Sequence, residues 1–78
     1  MGNDFRVLII EDDVRTVRFI GAKLRAAGYV VEAVGNGNEA VDRLRSTDTD
    51  LVLLDLLLPG KNGLQVLSEL RSFSKVPV

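Results

Sequence analysis

Four acids of this chain stand where a strand gives way to a loop. Glu11, Asp12 and Asp13 follow the apolar run Val7 to Ile10, and Asp55 follows Leu51 to Leu54. Runs this short and uniformly apolar read as strands buried on both faces of a parallel sheet. The carboxyl ends of such strands are where ligands and chemistry gather. A carboxylate placed there is a cation ligand, a nucleophile or a cap. For Asp55 taken alone the bland reading weighs as much as the functional one, because Asp readily bonds the backbone that follows it. The chain has no histidine and no cysteine, so zinc sites, imidazole bases and thiolate chemistry are excluded. Any metal must be a hard cation held by oxygen.

What decides between these readings is whether the two groups of acids meet. If the first strand lies between the second and third, as in the 2-1-3 start of a flavodoxin-like sheet, the ends of strands one and three are neighbours at about 4.8 Å. Glu11 and Asp12 then sit beside Asp55. Two unit charges about 5 Å apart at an effective dielectric near 20 repel by roughly 3 kcal/mol, so the cluster needs neutralising. The candidates are protonation, a nearby lysine, or a divalent cation. Carboxylate oxygens with a loop carbonyl suit Mg²⁺, which keeps several waters. Such a metal would also neutralise charge on a transferred phosphoryl group. Asp55 is the natural nucleophile, since carboxylate attack on phosphorus gives an acyl phosphate.

The elements that must hold these acids follow from periodicity. After the acidic triplet the spacing turns helical, with Val17, Ile20, Leu24 and Ala27 on one stripe and Arg15, Arg18, Lys23 and Arg25 left to solvent. Asp13 is placed to cap this helix and Gly28 to end it. Tyr29 to Val34 is a second strand. Gly35-Asn36-Gly37-Asn38 reads as a turn with Asn38 capping a short helix from Glu39 to about Arg45 that buries Ala40, Val41 and Leu44. That loop lacks the third glycine of a dinucleotide fingerprint and follows the second strand, not the first. Beyond Asp55, Pro59-Gly60 and Asn62-Gly63 punctuate a loop. Leu64 to Phe73 is a third helix with Leu67, Leu70 and Phe73 as its core stripe, and Val76-Pro77-Val78 begins a fourth strand. Strands alternating with helices imply a parallel sheet with right-handed crossovers.

Composition agrees with one soluble domain, residues 1–78. Of the 78 residues 46% are hydrophobic and 27% charged, which places the chain among globular proteins, not disordered ones. A domain this small buries only about 60–65% of its unfolded surface, so its margin of stability is thin. A net charge of -1 gives no pull toward nucleic acid or an anionic membrane. The four cations of the first helix read as a solvated face. No segment is long enough to span a bilayer, and Asp4 and Arg6 lead straight into a four-residue apolar run, unlike a signal peptide. Cytoplasmic residence is the expectation.

The motifs IIEDD and DLVLLDLLLPGKNGLQVLSELR resemble closely the receiver domain of two-component response regulators, with its acidic pair after the first strand and D-x-x-[ML]-P-x-x-[DN]-G around a phosphorylated aspartate. The resemblance runs the whole length. It implies a flavodoxin-like (CheY-like) α/β sheet of order 2-1-3, a phosphoacceptor at Asp55, and Mg²⁺ bound directly by Asp12. It further implies Glu11 as an outer acid acting through water, the backbone carbonyl of Leu57 completing the metal site, and a sensor histidine kinase or phosphotransfer protein as phosphodonor. Asp13 matches a non-ligand position, in keeping with its cap role. The module would be no enzyme beyond weak self-catalysed phosphotransfer and dephosphorylation. Receivers have five βα units; this sequence carries three and the start of a fourth strand. The family's switch Thr/Ser after strand four, its strand-five aromatic and its lysine after strand five have no counterpart here, and Lys61 lies in the wrong loop to replace that lysine. Impaired phosphorylation and switching are therefore expected, since losing a positioned cation costs about two to three powers of ten in rate.

A third strand with only a stub beyond it is an apolar edge that recruits another chain. The expected form is a two-fold homodimer pairing strand three or four with its mate and burying or exchanging the third helix. The alternative function is a structural or engineered half-domain fragment that self-associates and carries a vestigial acidic pocket. An aspartyl-phosphate hydrolase is disfavoured because Leu56 and Leu57 leave no second acid after Asp55. FMN binding is disfavoured because the loop after strand one is acidic where a phosphate cradle carries Gly, Ser and Thr.

Overall fold

A computed structural model describes residues 4–78 of the chain. Six elements alternate: β1 (Arg6–Ile10), α1 (Val14–Ala26), β2 (Val30–Val34), α2 (Gly37–Ser46), β3 (Leu51–Leu54) and α3 (Gly63–Arg71). The three strands form one parallel sheet in the order β2-β1-β3, the arrangement on which the meeting of the acids depends. Ile10 is in register with Val34 on one side and Leu54 on the other. Central β1 is accordingly the most buried strand, with Val7, Leu8, Ile9 and Ile10 all nearly inaccessible to solvent.

Side chains alternate across a strand, so the sheet has two unlike faces. Leu8, Ile10 and Val52 join Val34, Ala40, Val41, Leu44, Val66 and Leu70 in one cluster, with α2 and α3 lying over that face. Val7, Ile9 and Leu53 point to the other side, where Ile20 of α1 approaches Ile9 and Leu53. A single helix is about 10 Å across and α1 sits toward β2. It leaves Leu51 and Leu53 half-exposed, so β3 is covered on one face, where Leu54 packs partly buried against the core, and only in part on the other, a correction to the both-faces reading of that strand. The stripe of α1 is likewise half-exposed at Val17, Ile20 and Leu24 and exposed at Ala27.

The helix ends are set by local chemistry. Asp13 caps α1, its Oδ1 accepting from the amides of Arg15 at 2.9 Å and Thr16 at 3.3 Å. At the other end Gly28 adopts φ +99°, with its amide on the Arg25 carbonyl and that of Tyr29 on Leu24, a Schellman closure. The cap of α2 is Asn36, whose Oδ1 accepts from the Glu39 amide at 2.8 Å; the expected cap, Asn38, lies inside the helix. Asn62 and Gln65 form a reciprocal capping box at the start of α3. Val66, absent from the expected stripe, is fully buried together with Leu70, while Leu67 and Phe73 are half-buried. Residues 76–78 form no strand. They lie beside β3 through a bond from the Val52 amide to the Pro77 carbonyl at 2.9 Å, and the Arg71 guanidinium donates to the Val76 carbonyl at 2.7 Å.

Candidate functional site

The sheet's own ladder brings the acids together. Past the last paired residues, Glu11 donates its amide to the Val34 carbonyl and Asp55 donates to the Ile10 carbonyl, at 3.0 and 2.9 Å, so both leave the sheet side by side. One carboxylate oxygen from each of Glu11, Asp12 and Asp55 lies within 4.8 Å of the others. Glu11 and Asp55 are half-buried and line a cleft of about 170 Å³ together with Ile9, Ile20 and Leu53, while Asp12 is exposed. Asp13 stays outside the cluster as the α1 cap, but its amide donates to Glu11 Oε2 at 3.0 Å and so aims that side chain.

Asp55 Oδ1 accepts from the Leu57 amide at 3.0 Å, the Asx turn that the bland reading expects. This bond occupies one oxygen and leaves Oδ2 for other work, so turn former and functional acid are compatible in one residue. Leu57 itself is 84% exposed, an apolar side chain held outside the core by its backbone position.

Electrostatics confirm that the acids sense one another. The hydrogen bond from the Asp13 amide favours ionised Glu11. Desolvation, the charge of Asp55 and hydrogen bonds shared with Asp55 and Asp12 together outweigh it and hold the Glu11 carboxyl above its ordinary range. Among the described residues no salt bridge reaches the cluster: Lys61 pairs with Glu69 at 2.8 Å, and Arg43 with Glu32 at 3.5 Å. The spacing suits a small cation. Ligands about 2.1 Å from an octahedral ion lie roughly 3 Å apart when adjacent and about 4.2 Å apart when opposite. Three carboxylate oxygens gathered within 4.8 Å are close enough to surround one hard cation of this size.

Two glycines near the site carry roles that periodicity did not disclose. A Cβ on Gly63 would stand 2.5 Å from Leu56 Cα, and one on Gly37 would stand 2.5 Å from Lys61 Cβ. The signal open to sequence reasoning was a glycine at the start of each of these helices, where alanine is the better helix former.

An open parallel sheet with three carboxylates converging at its carboxyl edge defines a flavodoxin-like domain with an acidic pocket, the CheY-like arrangement. The profile of the response regulator receiver domain matches residues 7–78, and the chain belongs to that family. The transcriptional regulatory protein BaeR of Escherichia coli is 40% identical over 76 residues, 97% of this chain and 32% of BaeR. The receiver domain of sensor histidine kinase PA1611 from Pseudomonas aeruginosa, solved with a magnesium ion coordinated in its active site cleft, superposes with a TM-score of 0.85 at 31% identity. That match covers 90% of this chain and 57% of the other. The complex of histidine kinase ThkA with response regulator TrrA of Thermotoga maritima matches at a TM-score of 0.85 and 33% identity, covering 94% of this chain and 63% of that one. The chain spans about a third of the length of the curated relatives it matches.

Proposed function

We propose that this chain is a phosphoacceptor module of cytoplasmic two-component signalling, phosphorylated on Asp55 with Mg²⁺ held by Glu11, Asp12, Asp55 and the Leu57 backbone carbonyl. The observation that carries this reading is the convergence of three carboxylates within 4.8 Å at the carboxyl edge of a receiver-family sheet. Bound Mg²⁺ supplies positive charge that offsets the acids and the incoming phosphoryl oxygens. Leu57 fixes Asp55 Oδ1 through its amide, so Oδ2 is the oxygen free to attack. With a phosphohistidine donor the P–N bond breaks, an Asp55 O–P bond forms, and the departing imidazole takes up a proton. A histidine kinase or phosphotransfer protein fits the donor's role, as the ThkA–TrrA pair illustrates for that regulator.

Among the described residues no salt bridge brings a cation to the cluster, and Lys61 is engaged with Glu69. Phosphotransfer by the chain on its own is therefore slow, by about two to three powers of ten relative to a site with a positioned cation. Incubation with a small acyl phosphate and Mg²⁺ tests the assignment by intact mass. An adduct of about 80 Da, one phosphoryl group, is expected on the parent and is lost in D55N. An adduct that persists in D55N moves the phosphoacceptor elsewhere.

A second reading, a self-associating module with a vestigial pocket, draws on the half-exposed Leu51 and Leu53 of β3. Outside β3 the described residues provide only the Val52 to Pro77 backbone bond. Two copies pairing along this edge and α3 would cover that surface. Absence of any phosphoryl adduct together with a stable dimer would favour this reading over the first.

A further inference from the structure

Gly37 opens α2, and its backbone does not explain why it is glycine. Its φ is not positive, and alanine is the better helix former. The explanation lies in the loop after β3. A Cβ on Gly37 would overlap the Lys61 carbonyl oxygen and stand 2.5 Å from Lys61 Cβ and 2.9 Å from its carbonyl carbon. The Gly37 amide also donates to the Pro59 carbonyl at 3.3 Å, and the opposing loop glycine, Gly60, sits with φ +79° against Asn36 and Asn38. On its far side the same loop is tied to α3 by the Lys61 to Glu69 ion pair. Closer to Asp55, the Gly63 amide donates to the Leu56 carbonyl at 3.0 Å and a Cβ there would strike Leu56 Cα. The loop between Asp55 and Asn62 is thus gripped at both ends, by Gly63 beside the acid and by Gly37 at Pro59 to Lys61.

From this packing we infer that Gly37 is a positioning residue for the metal and phosphoryl site. By admitting the Lys61 backbone against the first turn of α2, it sets the course of residues 57–59 and with it the Leu57 carbonyl. The inference rests on the reading of Asp55 and Leu57 given above. A methyl group at position 37 drives the loop back by about 1 Å before ordinary contact is restored. Displacements of that size in groups supporting a metal ligand lower affinity by about ten- to a hundredfold.

The test is a MgCl₂ titration followed by proton–nitrogen correlation spectra of the parent, G37A, G35A and the double variant G37A/K61G. Gly35 lies in the same loop where a Cβ meets nothing within 4 Å, so G35A is the matched control. The expected result is that G37A shifts the Leu57 and Lys61 amide resonances before metal is added and weakens Mg²⁺ binding about tenfold while fully folded. G35A stays within about twofold of the parent, and G37A/K61G, which relieves the Lys61 Cβ contact but keeps the backbone contacts and loses the ion pair to Glu69, recovers only part of the affinity. Parent-like Mg²⁺ affinity in G37A, or unfolding of both Gly37 variants, makes the contact purely architectural and overturns the inference. A parent that binds no Mg²⁺ and takes no phosphoryl group at Asp55 counts against the site reading instead. In that case the metal-free shift of Leu57 in G37A still decides whether the contact steers the loop.

Discussion

At the scale of single residues, the cluster is a store of repulsion that a cation or a proton relieves. Three acids whose oxygens lie within 4.8 Å oppose folding when all are ionised, and Glu11 responds by holding its proton more tightly than it would in the unfolded chain. A carboxyl raised on folding contributes most at low pH, and that contribution is lost as pH rises through the raised folded value. Replacing Asp55 by Asn keeps the oxygen that accepts from Leu57 and removes the opposing charge. With the roughly 3 kcal/mol of a buried pair discounted for half-exposure, D55N should stabilise the metal-free protein near pH 7 by about 1 kcal/mol. That corresponds to about 5 °C in Tm for a chain of this size. Near pH 3, where Glu11 with its raised pKa holds its proton and no longer repels position 55, the difference should shrink, and with saturating Mg²⁺ it should reverse because the parent binds the ion more tightly. Thermal unfolding at two pH values with and without Mg²⁺ checks all three signs; a D55N variant less stable than the parent at neutral pH without metal would contradict the account.

At the scale of elements, helix ends separate what periodicity reads from what geometry chooses. Asn36 and Asn38 are two residues apart, and either can cap a helix beginning in that loop. The structure gives the cap to Asn36 because the helix starts one turn-fraction earlier, at Gly37, where α2 meets the β3–α3 loop. N36A should therefore cost about 1 kcal/mol in urea unfolding and N38A only a few tenths. Equal losses would return the cap to Asn38. Gly28 presents the reverse situation: a Cβ there meets nothing within 4 Å, yet φ is +99°. G28A should destabilise by about 1 kcal/mol through backbone strain alone, despite the open space. In α3 the expected stripe found Leu70, and Phe73 packs partly buried against the same core, but it missed Val66, which is fully buried in the cluster that holds Val52 and Ile10 while Leu67 is half-buried. L70A should cost about 2–5 kcal/mol and L64A, with Leu64 64% exposed, almost nothing.

At the scale of the whole molecule, the two faces of the sheet differ in how well they are covered. The α2–α3 face closes over nine buried residues, whereas the α1 side leaves β3 and the stripe of α1 half-open and Phe19 exposed. Burial of that apolar surface against a second copy should appear as a concentration-dependent mass in sedimentation and as a Tm that rises with protein concentration. A monodisperse monomer at high concentration would leave the β3 edge without this role. The sequence by itself determined the alternation of strands and helices, through the change from unbroken apolar runs to helical spacing, and it marked Glu11, Asp12 and Asp55 by placing acids at strand ends. Local patterning carries that much because strand, turn and cap preferences act over a few residues. Only the tertiary structure decided that β1 lies between β2 and β3, that the three carboxylates meet, and that Gly37 and Gly63 grip the loop between them. Those facts depend on which surfaces pack together across 20 to 50 positions of chain, a choice made by burial and close fit over the whole molecule.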